Sequence, residues 1–255
     1  MVDYPVAIIV ISFVAMWLAT RAGIVLAKNR KPMETEEREY FTIVLTATLT
    51  MLGLIIGFTF SMAVSRYDLR KHYEEAEANA IGTEYVRAGL FPAEERPEIR
   101  ERLKKYLDLR LRFYEISLIS PGDARRLRQV NADTAQLQNQ MWSMVENSSG
   151  PHGTATMALV ASGMNDVLNS QGYAQAASWN RVPAGAWILM GLIAVCCNFL
   201  MGFGAQRVRP LLLLVLPVLI AISFFLIADI DSSRSGIIRV RPDNLLSLAK
   251  TLNAG

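Results

Sequence analysis

The stretch FTIVLTATLTMLGLIIGFTFSMAVSRYDLRKHYEEAEANA (Phe41 to Ala80) decides the fold. Its first part, Phe41 to Val64, has no charged residue and is long enough to cross a hydrocarbon core of roughly 30 Å at about 1.5 Å per residue. Good helix formers continue beyond Ser65, and the next proline is Pro92. We therefore predict one continuous helix that leaves the membrane and enters water.

Two stripes of side chains run along this span, because residues four apart share a helix face. Small side chains let another helix approach closely. This predicts helix packing on one stripe, at Gly53, Gly57 and Ser61. The adjoining stripe is large and apolar and is predicted to face something other than a neighbouring helix. It consists of Leu52, Ile56 and Phe60.

Charged residues begin where the span ends. Basic side chains come first, at Arg66, Arg70 and Lys71, and acidic ones follow at Glu74, Glu75 and Glu77. One interpretation is a set of snorkelling anchors followed by a solvated helix face. The other is the vestibule of an ion pathway, in which the basic residues concentrate anions.

The composition indicates a polytopic membrane protein with one polar part. Of 255 residues, 52% are hydrophobic and 19% are charged, and the mean hydropathy is +0.25. A net charge of +3 without a basic run argues against nucleic-acid binding. The chain has two histidines, no recognisable metal-binding or catalytic motif, and two adjacent cysteines, Cys196 and Cys197, which are predicted to be free. We predict no cofactor, no metal and no enzymatic activity.

Three further apolar runs bring the predicted number of spans to four. They are Pro5 to Ala27, Pro183 to Gly204 and Pro210 to Ile230. Within the third span, the polar Asn198 is predicted to bond another helix.

The predicted fold class is an all-α membrane protein with a helical bundle inserted between the second and third spans. Amphipathic patterns start near Glu98, after the turn at Ser120 to Asp123, and at Thr154. The predicted domains are transmembrane helices 1 and 2 (1–64), an extramembrane bundle (65–181), transmembrane helices 3 and 4 (182–230) and a tail packed on the bundle (231–255).

An even number of spans places the N-terminus, the bundle and the tail on one side of the membrane. Lysine and arginine occur near the span ends on both sides, so the positive-inside rule does not decide which side is cytoplasmic.

The tail begins with two carboxylates, Asp229 and Asp231. Pairing with basic residues at the exit of the second span is the favoured interpretation, because buried carboxylates need compensation. Calcium binding is the weaker alternative, since a calcium loop needs more closely spaced oxygen ligands.

Two segments resemble the bacterial bestrophin-like family of membrane proteins, and through it the bestrophin anion channels. They are GFTFSMAVSRYDLRKHYEEAEANAIGTEYVRAGLFP (Gly57 to Pro92) and IADIDSSRSGIIRV (Ile227 to Val240). The resemblance covers nearly the whole chain. It departs from bestrophins just after the second span, where their tryptophans are absent and His72 and Tyr73 stand instead.

The resemblance implies a homo-oligomer, a pentamer by analogy, with a central pore lined by the second helix and narrowed by apolar side chains. Leu52, Ile56 and Phe60 would then form the constriction, and Arg66, Arg70 and Lys71 the vestibule. It also implies a multi-pass protein of the bacterial inner membrane with a cytoplasmic bundle and cytoplasmic termini. The expected partners are the lipid bilayer, further copies of the chain and inorganic ions.

Two other functions compete with the channel. A membrane-anchored helical scaffold or sensor that conducts nothing would suit four spans and a bundle equally well. An intramembrane enzyme would need a polar nucleophile and a base within the spans, and the sequence offers no such pair.

Overall fold

The computed structural model describes residues 5–28, 32–117, 120, 122–149, 154–205 and 211–254. Every regular element in these residues is helical, which confirms the predicted fold class. The chain divides into two compact units. One contains residues 1–65 and 181–238, the membrane unit, and the other contains residues 66–180 and 239–255, the bundle unit.

Eight α-helices follow one another in the described residues. They are α1 (Pro5–Ala27), α2 (Thr35–Arg87), α3 (Arg96–Glu115), α4 (Asp123–Ser149), α5 (Ala155–Trp179), α6 (Ala184–Gly204), α7 (Leu212–Asp231) and α8 (Asp243–Ala254).

Four helices are long and apolar enough to cross a membrane, as predicted. The spans are α1, the first part of α2, α6 and α7, so the chain is a multi-pass membrane protein. Helix α2 runs without interruption from Thr35 to Arg87, which confirms the predicted continuous helix. The short basic segment between the third and fourth predicted spans (205–209) lies outside the described residues beyond Ala205, as does the predicted first residue of the last span, Pro210.

Helix α1 packs on both α6 and α7 in the membrane unit. Its contact with α6 is close enough to require glycine on both helices. A Cβ on Gly202 would collide with the carbonyl of Thr20, and a Cβ on Gly23 would collide with the backbone at Phe199 and Phe203. Such contacts bring two helix backbones together without a large side chain between them.

A buried polar pair lies beside this close approach. The hydroxyl of Thr20 is 3.5 Å from Oδ1 of Asn198, and Nδ2 of Asn198 donates to the carbonyl of Ala194. Both side chains are buried. Asn198 therefore bonds a neighbouring helix, as predicted.

The bundle unit has one apolar core, built from the second part of α2 together with α3, α4, α5 and α8. Its fully buried side chains include Ile81, Phe91, Tyr106, Met141 and Met164. The predicted apolar faces of α3 and α4 are buried or half-buried. On α5, Val160, Met164 and Val167 are buried, but Leu159, which the sequence pattern after Thr154 also predicts to be on the apolar side, is 54% exposed, so that prediction was wrong.

Local sequence signals mark the helix starts in this unit. Thr154 precedes α5, and its hydroxyl accepts the backbone N–H of Met157 at 3.2 Å. Pro97 lies in the first turn of α3, where a missing N–H costs no hydrogen bond.

Candidate pore helix and its flanking charges

The membrane-spanning part of α2 is the least covered span of the protomer. Only 6% of its most apolar window is buried, against 22% for α1, 28% for the span that ends at Gly204 and 50% for α7. The start of α2 does contact α6, where the rings of Phe41 and Phe203 lie 6.2 Å apart. Apart from buried positions such as Leu52 and Thr59, most of the remaining apolar surface is available to lipid or to other copies of the chain.

The predicted packing stripe lies on this open surface. Gly53, Gly57 and Ser61 are exposed, and a Cβ built on either glycine would meet no atom within 4 Å. Neither glycine therefore packs on another helix among the residues that the structure describes. Their predicted role in helix packing stays a prediction about the assembly.

The three side chains of the predicted pore stripe, Leu52, Ile56 and Phe60, differ in how far they are buried. Leu52 is only 3% exposed, Ile56 is half-buried and Phe60 is 37% exposed. A side chain that lines a pore shared by several copies must be accessible in the single copy. Of the three, Phe60 meets that requirement best and Leu52 does not meet it.

Another stripe at the same four-residue spacing is open. Leu54 is 57% exposed, Phe58 is 66% exposed and Thr50 is also exposed. The Thr50 hydroxyl donates to the carbonyl of Thr46 at 2.9 Å, so its proton is used within the helix while its oxygen faces outward. Sequence periodicity allowed this stripe as readily as the predicted one, because it cannot distinguish the open face from the packed face.

The three basic residues predicted for a vestibule differ in their surroundings. Lys71 is exposed, whereas Arg66 is half-buried and donates a hydrogen bond to Oδ1 of Asn180. Arg70 is buried, with 7% of its surface exposed. Only Lys71 therefore presents its charge openly in the single protomer.

The acidic residues that follow do not form a solvated face. Glu75 is exposed, but Glu74 and Glu77 are both 0% exposed. The solvated-face interpretation was wrong for these two residues, because α2 turns them toward the bundle. Their positions match the spacing of the buried Ala78 and Ile81, and that spacing is a signal the sequence does contain.

Glu74 binds the start of the C-terminal helix. Its Oε1 accepts the backbone N–H groups of Asn244 and Leu245 at 3.1 and 3.0 Å, and its Oε2 accepts the Asn244 side-chain amide at 2.7 Å. The carboxylate thus satisfies N–H groups that the first turn of α8 leaves without intrahelical partners.

Glu77 forms a buried ion pair with Arg110 of α3. Its Oε2 also accepts a hydrogen bond from the Tyr114 hydroxyl at 3.2 Å. Burial raises the pKa of Tyr114, and the Glu77 carboxylate raises it further. The tyrosine therefore stays a neutral donor to the carboxylate. This network joins α2 to α3.

The two carboxylates of the weaker calcium hypothesis, Asp229 and Asp231, accept hydrogen bonds from backbone N–H groups. Asp229 accepts the N–H groups of Ile237 and Ile238 at 2.7 and 2.8 Å. Asp231 accepts the N–H of Val182 at 2.9 Å. Among the residues that the structure describes, no group of three or more metal-binding side chains is found. The predicted pairing with the bases of α2 stays a prediction.

A glycine allows the loop after α7 to fold back. A Cβ on Gly236 would collide with the carbonyl oxygen of Asp229. Asp229 and Gly236 therefore lie in one turn. In this turn the Asp229 carboxylate accepts the N–H groups of the two residues that follow the glycine.

A comparison with protein families matches nearly the whole of the chain. A bestrophin-like domain matches residues 6–245. The chain belongs to the bestrophin-like family. Comparison with curated proteins finds no match.

Solved structures share the fold of this family member at low sequence identity. A bacterial bestrophin homologue from Klebsiella pneumoniae has a TM-score of 0.65 and 13% identity, covering 98% of this chain and 97% of the other. A single-substitution variant of that homologue has a TM-score of 0.65 and 13% identity, covering 98% and 95%. A structure described as a membrane protein has a TM-score of 0.66 and 14% identity, covering 96% and 98%.

Proposed function

We propose that this bestrophin-like protein is a subunit of a homo-oligomeric, pentameric ion channel that is permeable to anions, with α2 of each copy lining the pore. The observation that carries the proposal is the open surface of the membrane-spanning part of α2, where only 6% of the most apolar window is buried. Membership of the bestrophin-like family supports ion-channel function in general, and a channel rather than an enzyme.

The chemistry of that surface favours a pore over lipid alone. Three threonines, Thr42, Thr46 and Thr50, are exposed on α2. Their hydroxyl oxygens can contact water or ions in a pore.

The constriction is proposed to lie at Leu54 and Phe58, two large side chains of the span that are 57% and 66% exposed. Rings of apolar side chains can gate a pore by excluding water. Leu52, Ile56 and Phe60 are the competing stripe from the sequence, and the burial of Leu52 counts against it.

Anion preference is proposed to come from the basic end of the span. The exposed Lys71 would raise the local concentration of anions, and Arg66 and Arg70 add positive charge behind it. From the resemblance to bestrophins, we propose that the bundle and both termini lie in the cytoplasm and that the protein is in the bacterial inner membrane.

The test is conductance of the purified protein in planar bilayers, with two paired variants. Leu54→Ala with Phe58→Ala should raise conductance or leak and change ion preference, because it widens the proposed constriction. Ile56→Ala with Phe60→Ala should change it less. Leu192→Ala is the matched control, since Leu192 is 60% exposed on α6.

The symmetry of the particle and the currents decide between the candidate functions. A five-fold ring with α2 around a water-filled axis would support the channel. Normal assembly without current in any variant would favour the non-conducting scaffold. A larger effect of the Ile56 and Phe60 pair would return the constriction to the stripe predicted from the sequence.

A further inference from the structure

Glu84, in the last turn of α2, is an unpaired carboxyl inside the bundle unit. The residue is 0% exposed, and within the described chain neither carboxylate oxygen has a hydrogen-bond partner. A buried carboxylate without hydrogen bonds is very unfavourable when ionised, and a group in that position keeps its proton instead.

The neighbouring helix α5 is built around this carboxyl. A Cβ on Gly163 would collide with Oε2 of Glu84 and with Nη1 of Arg87. Glycine in the middle of a helix costs stability relative to alanine. Here it makes the space that the Glu84 carboxyl occupies.

Two charged groups act on Glu84, one from each helix. Arg87 lies one turn further along α2, and its Nη1 donates to the carbonyl of Leu159 at 3.4 Å. Asp166 is exposed on α5. Burial raises the pKa of Glu84 from 4.5 to about 8, with Arg87 opposing the shift and Asp166 adding to it.

We propose that Glu84 is a proton-operated latch between α2 and α5. The neutral carboxyl lies against Gly163 and keeps the two helices in contact. When the proton leaves, the carboxylate requires a partner, and Arg87 turns from the Leu159 carbonyl to the new charge. The α2–α5 contact at Gly163 then loosens, in the same helix that carries the second membrane span.

The direction of the pH effect follows from linkage. The pKa of Glu84 is higher in the folded protein than the ordinary 4.5, so folding favours the protonated form. The stability that the latch supplies is complete below about pH 4.5. It decreases as the pH rises and is lost at about pH 8.

The first test observes the proton itself in the full-length protein. Infrared difference spectra recorded through a pH titration should show a protonated carboxylic acid band that disappears near pH 8. Glu84→Gln should remove this band. Glu75→Gln should leave it, because Glu75 is exposed on the same helix. A neutral-pH spectrum without the band, or a band that persists in Glu84→Gln, would overturn the proposal.

The second test reads the helix contact. Hydrogen exchange of α5 peptides, corrected for the intrinsic pH dependence of exchange, should increase in the parent and in Glu75→Gln as the pH passes about 8. Glu84→Gln should stay protected throughout. Equal exchange in the parent and Glu84→Gln at every pH would show that the proton does not hold the contact.

Two further variants keep the proposal testable if Glu84→Gln does not fold. Arg87→Gln removes the cation that opposes the shift, so the infrared band should titrate at higher pH. Gly163→Ala displaces the carboxyl from its space, so the band should titrate at lower pH. A titration that moves in neither variant would contradict the assigned neighbours.

Discussion

Three glutamates of α2, Glu74, Glu77 and Glu84, are fully buried in the bundle unit, and each is compensated differently. Glu74 binds the first turn of α8, Glu77 pairs with Arg110, and Glu84 has no hydrogen-bond partner in the described chain, where burial raises its pKa to about 8. The exposed Glu75 lies between the first two and provides the matched control for all three.

Removing one partner of the buried Glu77–Arg110 pair should be strongly destabilising, because the other charge is then buried without compensation. Glu77→Ala leaves the fully buried Arg110 without its anion, which is expected to cost about 3–5 kcal/mol of unfolding free energy. Glu75→Ala should change it by less than about 0.5 kcal/mol. Denaturant unfolding followed through the bundle tryptophans measures the difference, and equal midpoints for the two variants would rule out the pair as a structural support.

At the scale of elements, the close contact of α1 and α6 depends on Gly23 and Gly202. The colliding atoms are backbone atoms, which cannot rotate away from an added methyl group. Gly202→Ala is therefore expected to destabilise the membrane unit by about 1–3 kcal/mol and to lower the thermal midpoint. Gly191→Ala on the same helix should not, because a Cβ there meets no atom within 4 Å. A midpoint equal to that of Gly191→Ala would contradict the close contact.

The C-terminal helix α8 should detach when Glu74 is replaced. Glu74→Ala removes three hydrogen bonds to the first turn of α8, and losing a cap of this kind costs about 0.5–2 kcal/mol. Leu245 and Leu248 still pack against the core, so we expect local opening rather than global unfolding. Faster hydrogen exchange confined to 243–254, absent in Glu75→Ala, would be the expected result, and uniform protection would contradict it.

The elements themselves were predictable because each is set by local sequence. Long uncharged runs predict the four spans, and the periodicity of α3 and α4 predicts their buried faces. The contacts between elements were not. Gly23 belongs to a series of small residues at four-residue spacing with Ala15, Ala19 and Ala27, but nothing local to it identifies Gly202 as its partner. Gly53 and Gly57 have the same spacing and face open space. Burial of Glu74 and Glu77 likewise depends on which face of α2 the bundle covers.

At the scale of the whole molecule, the single chain leaves the small-residue stripe of α2 uncovered. Gly53, Gly57 and Ser61 are exposed on α2 and have the four-residue spacing of a helix contact. Burial within one chain therefore assigns these residues to no contact, and their role depends on what lies against α2 in the membrane. An experiment on assembly, and not one on folding, is needed to test them.

Gly53→Leu is expected to weaken the oligomer while the protomer stays folded. A Cβ on Gly53 meets nothing within its own chain, so the leucine side chain can only obstruct another molecule. The mass of the detergent-solubilised particle should fall toward that of the 28.3 kDa chain, with unchanged helical circular dichroism. Gly191→Leu adds the same bulk to an open site on α6 and should leave the mass unchanged. An oligomer of parental mass and thermal stability in Gly53→Leu would show that this stripe faces lipid or the open pore and not a neighbouring helix.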